Sequence, residues 1–235
     1  MHKDEHLLSE KENINIWLSQ INNEYKAALS VDCVIFAYTD NDLYVLLLKC
    51  NMPPYVGMYS LVGDLLEPHE SLNEAAARIL RERTGIDEVY MEQVKAYGDP
   101  RRHPLGRVVT ISFFSLVKLE NVKLNRDIGN DYLKWQKVKE VGRLAFDHNL
   151  ILDDCLKVLR QRLKTQAVGL NLLPEKFTLN HLQNLYEVVL DEKLDKRNFR
   201  KKLKASGFLK DLREIQKDVN HRPARLYSFE SKYCI

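Results

Sequence analysis

The segment Asp64–Ile86 (DLLEPHESLNEAAARILRERTGI) gathers the carboxylates Glu67, Glu70, Glu74 and Glu82 beside the guanidinium groups of Arg78 and Arg83. Carboxylates brought together on one helix and the loop before it offer hard oxygen donors to a divalent cation. A correctly placed divalent cation is what metal-assisted hydrolysis requires. One residue in the segment works against that chemistry: Arg83 sets a cation one residue from Glu82. At about 4 Å, like charges cost on the order of 4 kcal/mol at an effective dielectric of 20, so Arg83 opposes a metal as well as failing to bind it. Glu82 alone would hold a metal weakly.

The same stretch resembles the Nudix box, G-x5-E-x7-R-E-U-x-E-E-x-G-U with U apolar, and aligns with it without a gap. Glu70, Arg78, Leu80, Glu82, Gly85 and Ile86 match, whereas Asp64, Ile79 and Arg83 do not. The resemblance implies a retained scaffold, with Glu70 and Arg78 pairing the loop to the helix, and lost catalysis, because Ile79 and Arg83 stand where catalytic glutamates belong. It therefore implies a domain that is not an enzyme and holds neither metal nor cofactor. Its cleft would serve to bind a small effector, for which Arg78 and Glu82 are box-derived candidates. The loop Tyr97–Arg107 (YGDPRRHPLGR) adds Arg102 and Arg107, whose planar forks suit phosphate or clustered hydroxyls, and His103, which can donate or accept. Tyr59 and Trp135 are candidates to stack on a ring, although core packing is the simpler account of each. The alternative is an active pyrophosphatase acting on ADP-ribose or a related nucleotide sugar, and it requires a replacement carboxylate such as Glu67 or Glu74.

A second concentration of charge lies in Asp195–Ser206 (DKRNFRKKLKAS). Asp195 is a natural N-cap, and Phe199 and Leu203, four apart, form a narrow apolar stripe. If this helix enters a major groove, its first exposed residues face base edges, which makes Lys196, Arg197, Asn198 and Lys201 candidate groove contacts. Arg200, Lys204, Arg222 and Arg225 are candidate phosphate contacts, which set affinity without reading sequence. Of the chain's 36 Lys+Arg and 33 Asp+Glu, 14 and 9 fall in residues 174–235, leaving 22 and 24 before them. The positive charge thus sits in the last quarter, which points to a polyanion partner.

These residues need elements to hold them. An amphipathic helix is expected near 11–28, and short apolar runs at 31–36 and 43–48 read as two strands about a polar turn. Ser71 and Glu74 form a capping box opening a helix that Gly85 ends, with Leu72, Ala75, Ala76, Ile79 and Leu80 buried. Strands near 89–97, 107–119 and 133–138 and a helix over 148–165 complete an α+β unit with a mixed sheet. Helices near 178–190 and 195–206 joined by a short link, then a hairpin near 212–229, read as a winged helix-turn-helix. The expected domains are 1–28, 29–166 and 167–235. No apolar run approaches membrane-spanning length, no signal peptide is evident, and the four widely spaced cysteines indicate neither zinc nor disulfides, so a cytoplasmic protein is expected.

Together the units resemble the Nudix-related transcriptional regulator family, NrtR, and most resemble its sugar-responsive branch, typified by an arabinose regulator. The specific stretches are YMEQVKAYGDPRRHPLGRVV (Tyr90–Val109), FDH (Phe146–His148), NLLPEKFTLNHLQNLYE (Asn171–Glu187) and DKRNFRK (Asp195–Lys201). The resemblance implies an α/β/α sandwich followed by the winged helix. It implies a homodimeric repressor of carbohydrate or nucleotide-sugar metabolism that sits on a palindromic operator in double-stranded DNA. A small effector in the former catalytic cleft would release it. Family effectors are ADP-ribose-like compounds or pentoses such as L-arabinose, and nothing in the residues chooses between them.

Overall fold

A computed structural model describes residues 14–15, 19, 26–87, 89–118, 132–166, 172–217 and 222–230. The first unit is a seven-stranded mixed sheet, with strands β1 (Ala28–Thr39), β2 (Asp42–Lys49), β3 (Tyr59–Ser60), β4 (Val62–Leu65), β5 (Tyr90–Tyr97), β6 (Val108–Val117) and β7 (Leu133–Lys137). The central path runs β3-β2-β1-β6-β5, with β4 on β1 and β7 on β2. Strands β1 and β6 pair in parallel from Ala28↔Val108 to Ala37↔Val117.

The long apolar run of β1 is explained by burial on both faces. Val31, Cys33, Ile35 and Ala37 pack on one side with Ala75, Ala76, Ile79 and Leu80 of helix α1 (Leu72–Thr84). Val34, Phe36 and Tyr38 pack on the other with Ile151, Leu152, Cys155 and Leu159 of helix α2 (His148–Thr165). The result is the expected α/β/α sandwich. The β1–β2 turn closes on Asp40 and Asn41, both with left-handed backbone (φ 48° and 58°), the pattern of a tight two-residue hairpin. Both strands therefore run longer than their apolar cores suggested.

Both ends of α1 follow the local signals. Ser71 Oγ accepts from Glu74 N at 3.3 Å while Glu74 accepts from Ser71 N at 2.8 Å, and Gly85 closes the helix at φ 77°.

The second unit holds α3 (Leu179–Leu190), α4 (Lys196–Ser206) and a hairpin of β8 (Leu209–Ile215) and β9 (Arg225–Phe229). Phe177 joins the hairpin by mutual backbone bonds with Tyr227 at 3.0 and 2.8 Å. One apolar cluster runs from β1, β2 and α2 through Leu172 and Leu173 to Leu182, Leu185 and Phe199, so the two units share a core. Polar links reinforce this junction. Arg160 donates to the Val189 carbonyl at 2.8 Å, Lys139 pairs with Asp191 at 2.8 Å, and Asn184 bonds Asn41 at 3.2 Å.

Most of the helix expected near 11–28 and part of the expected boundary lie outside the described residues. Ile14, Asn15 and Ser19 are helical, and Ala28 already belongs to β1. Among the described residues, no helix is long and apolar enough to cross a membrane.

Candidate functional site

The largest described cavity, about 720 Å³, opens at the start of β1 between the β3–β4 segment, the loop before β6 and the N-terminus of α2. Its floor is a buried polar knot. Asp32 is 6% exposed and accepts from Thr110 Oγ1 at 2.7 Å. Arg102 reaches down from the loop with its side chain 4% exposed, lies 3.8 Å from Asp32, and donates from Nε and Nη2 to Asp147 at 2.9 and 2.7 Å. His148 Nδ1 accepts the Leu61 backbone N–H at 2.9 Å, so the ring proton sits on Nε2, 3.7 Å from Asp32. Burial holds the His148 pKa below the ordinary imidazole value, against the opposing pull of Asp32 and Asp147. The His103 pKa is lowered as well, by burial first and then by Arg102.

An aromatic wall stands above this floor. Phe146, at φ 55°, stacks on His103 with ring centroids 5.1 Å apart and planes 11° apart, and meets Tyr55 edge-on at 4.7 Å. The charged lining is Lys26, Lys49, Arg83, Arg102 and Arg107 against the carboxylates Asp32 and Asp64. Apolar Leu48, Met52, Leu61 and Leu105 complete it. A concave site of this volume, cationic at one side and aromatic at another, suits an anionic small molecule that carries a flat or apolar portion.

Three of the six effector candidates, Arg102, His103 and Arg107, line the cavity, but their side chains are already engaged, His103 accepting the Leu105 backbone N–H at 3.3 Å. Arg102 is committed to Asp147, and Arg107 donates to the Gly98 carbonyl at 2.6 Å. The other three do not line it. Arg78 is spent on the scaffold, with bonds to Glu70 at 2.8 and 2.6 Å and to the Leu65 carbonyl at 3.0 Å. The arginine's hydrogen bonds pull the Glu70 carboxyl down to about 2. Glu82 is turned to solvent and meets Arg78 at 3.4 Å. Tyr59 packs against the apolar cluster with Lys134 over its ring, and Trp135 likewise joins the packing. Sequence reasoning missed Asp32, Asp64, Phe146 and His148. The only hint is FDH at 146–148, which carries the family resemblance without pointing to a role.

The Nudix fold implies a divalent cation, and the residues do not fit one. Ile79 is fully buried in the apolar layer, Glu82 faces Arg78, and Arg83 forms an ion pair with Asp64. Among the described residues, no group of three or more His, Cys, Asp or Glu side chains is placed to hold a metal.

The second site is α4. Asp195 caps it by accepting from Asn198 N at 2.8 Å, and Phe199 and Leu203 are its buried residues. That leaves Lys196, Arg197, Asn198, Lys201 and Lys204 exposed along the outer face. Arg200 is the exception: it is half-buried and donates to Asn180 at the start of α3 at 2.9 Å, bracing the two helices. Arg222 is exposed just before β9, and Arg225 pairs with Asp211 at 3.0 Å.

Residues 26–156 match the NUDIX domain family and residues 169–229 match the NrtR DNA-binding winged helix domain. The chain is 32% identical over 205 residues to the ADPR responsive transcriptional repressor NtrR of Acinetobacter baylyi, covering 86% of this chain and 81% of that protein. This chain belongs to the NrtR family. Among solved structures, Shewanella oneidensis NrtR complexed with a 27mer DNA superposes with a TM-score of 0.77 at 30% identity, covering 86% of this chain and 93% of that one. The NUDIX domain of the same protein complexed with ADP ribose superposes with a TM-score of 0.54 at 28% identity, covering 65% and 99%. For this NrtR chain, the expected place in the arabinose-responsive branch is corrected. The curated relative that spans most of it is ADPR-responsive.

Proposed function

We propose that this NrtR-family chain is an effector-controlled DNA-binding repressor whose Nudix domain binds ADP-ribose or a close nucleotide sugar and hydrolyses nothing. The observation that carries the reading is the pairing of an outward cationic helix, α4, with a separate cavity lined by five basic side chains against two carboxylates. The relatives support both halves: one NrtR is complexed with DNA, its Nudix domain with ADP ribose, and the Acinetobacter repressor is named for its ADPR response. A pyrophosphate-bearing ligand suits the cleft better than a neutral pentose: beside the Arg83–Asp64 and Arg102–Asp147 pairs, Lys26, Lys49 and Arg107 line it with no carboxylate partner among the described residues. The lack of hydrolysis follows from Ile79 and from Arg83, each standing at a metal-ligand position of the box. In this reading the chain acts as a homodimer that places two copies of α4 in successive major grooves of a palindromic operator.

The test uses the full chain and a duplex carrying the upstream region of its own gene cluster. Fluorescence anisotropy should show binding whose log affinity falls linearly with log salt, and release on adding ADP-ribose. Magnesium-dependent turnover of ADP-ribose at an ordinary enzymatic rate, together with indifference to duplex DNA, would overturn the proposal.

A further inference from the structure

Two of the three departures from the Nudix box are not independent. Asp64 stands at the box's leading glycine and Arg83 at a catalytic glutamate, 19 residues apart, and the structure joins them in an ion pair. Asp64 is held ready for this by the Leu65 backbone N–H, which donates to its Oδ1 at 2.8 Å. Arg83 Nε donates to the other oxygen, Oδ2, at 3.1 Å. Both residues line the 720 Å³ cavity, and both are partly open to it, with side chains 47% and 30% exposed for Arg83 and Asp64.

At the box's glutamate position the pair reverses the charge, while supplying the positive charge that a metal would. A divalent cation held by carboxylates presents positive charge to a ligand's phosphates. Here the positive charge is covalently attached to α1 and its resting counter-ion is a carboxylate of the chain itself. Unlike Arg102, which is buried and locked on Asp147, Arg83 can exchange partners without uncovering a buried charge. A guanidinium fork also matches phosphate oxygens in two-point geometry.

We propose that Arg83 is the diphosphate-binding residue of this cleft, taking the place of the metal, and that Asp64 is the internal anion a ligand must displace. The inference rests on the reading of the cleft as a nucleotide-sugar site. It makes binding independent of divalent cations, and it makes the cleft selective for ligands charged enough to outcompete a carboxylate. Neutral sugars cannot perform that exchange.

The two halves of the ion pair then have opposite mutational signs, which a purely structural bridge would not show. Isothermal titration of the full chain with ADP-ribose, and separately with inorganic pyrophosphate, reads this directly. Arg83→Gln should weaken binding by on the order of tenfold to a hundredfold, the worth of hydrogen bonds to a charged group. Asp64→Asn should tighten it several-fold. Wild-type affinity should be the same in EDTA as in magnesium. Melting temperatures of both variants without ligand serve as the control for folding. Equal affinity of Arg83→Gln and wild type, weakening by both substitutions, or a requirement for magnesium would each overturn the assignment. Pyrophosphate binding without ADP-ribose binding would sink the effector reading while leaving Arg83 to be judged on pyrophosphate. Wild type binding neither probe would sink both.

Discussion

Arg102 and Asp147 lie 45 residues apart and meet through two parallel hydrogen bonds of 2.9 and 2.7 Å, the arginine almost wholly out of water. This bridge fastens the loop before β6 to the N-terminus of α2 and closes the floor of the cleft beside Asp32. Removing the arginine strands two carboxylates in a site built to neutralise them. Arg102→Met should cost about 3 kcal/mol in urea unfolding, because a partly buried acid is left uncompensated. Arg102→Lys keeps the charge but loses the fork, and should cost measurably less.

Stability should also fall with acid through His148. Its folded pKa is depressed, chiefly by burial, so the unfolded chain takes up a proton first as pH drops. The contribution is complete above the unfolded histidine value, about 6.5, and is lost as pH falls from there through the folded value. Urea midpoints measured between pH 5 and 8 should decline over the acidic part of that range. In His148→Gln, midpoints should be lower throughout and that decline shallower, with His103 and His181, both also depressed by burial, left to supply the remainder.

Gly63 is required for close approach. A Cβ built there would sit 2.1 Å from Asp32 Oδ1 and 2.9 Å from the Val31 carbonyl oxygen. The backbone oxygen cannot rotate away, since Val31 is paired with Asp64 between β1 and β4. Gly63→Ala should therefore destabilise by roughly 1–3 kcal/mol, as overpacking does, and should lower affinity for the effector by shifting Asp32. Calorimetric melting and ligand titration of the same variant check both.

On α4, Arg197 and Lys201 are exposed one turn apart and make no bond to the rest of the chain among the described residues. Replacing both with alanine should leave the melting temperature within a degree or two of wild type. Operator affinity should fall by tenfold or more, and discrimination between the operator and an unrelated duplex should relax, because these side chains are the ones placed to face base edges. Arg200→Ala should instead lower stability as well, because its guanidinium braces α4 against Asn180.

How far the sequence was readable follows the range of each interaction. The box helix was legible to its ends because Ser71, Glu74 and Gly85 act within a few residues of themselves. So were α3, α4 and the apolar stripe of Phe199 and Leu203. The cleft was not, because its defining contacts join residues 78 and 87 positions apart, Thr110 to Asp32 and Leu61 to His148. Those meetings depend on the parallel register of β1 with β6 and on where α2 starts, neither of which leaves a local pattern. Arg102 was expected at the cleft but not as a structural anchor, since residue type alone does not reveal that a carboxylate waits in Asp147. The Asp64–Arg83 pair was hidden for a related reason: read separately, each residue is only a mismatch.

Strand β1 runs the full distance between the two halves of the molecule. Asp32, on the cleft floor, lies in the first half of the strand, and about 20 Å along at the usual strand rise stands Tyr38, whose ring meets His181 of α3 at 5.8 Å. Ten consecutive register partners on β6 keep that span from stretching or buckling. In the proposed reading, a tilt that an effector imposes at Asp32 would be carried along this span to the packing of Tyr38 on His181, as it would at the far end of a lever.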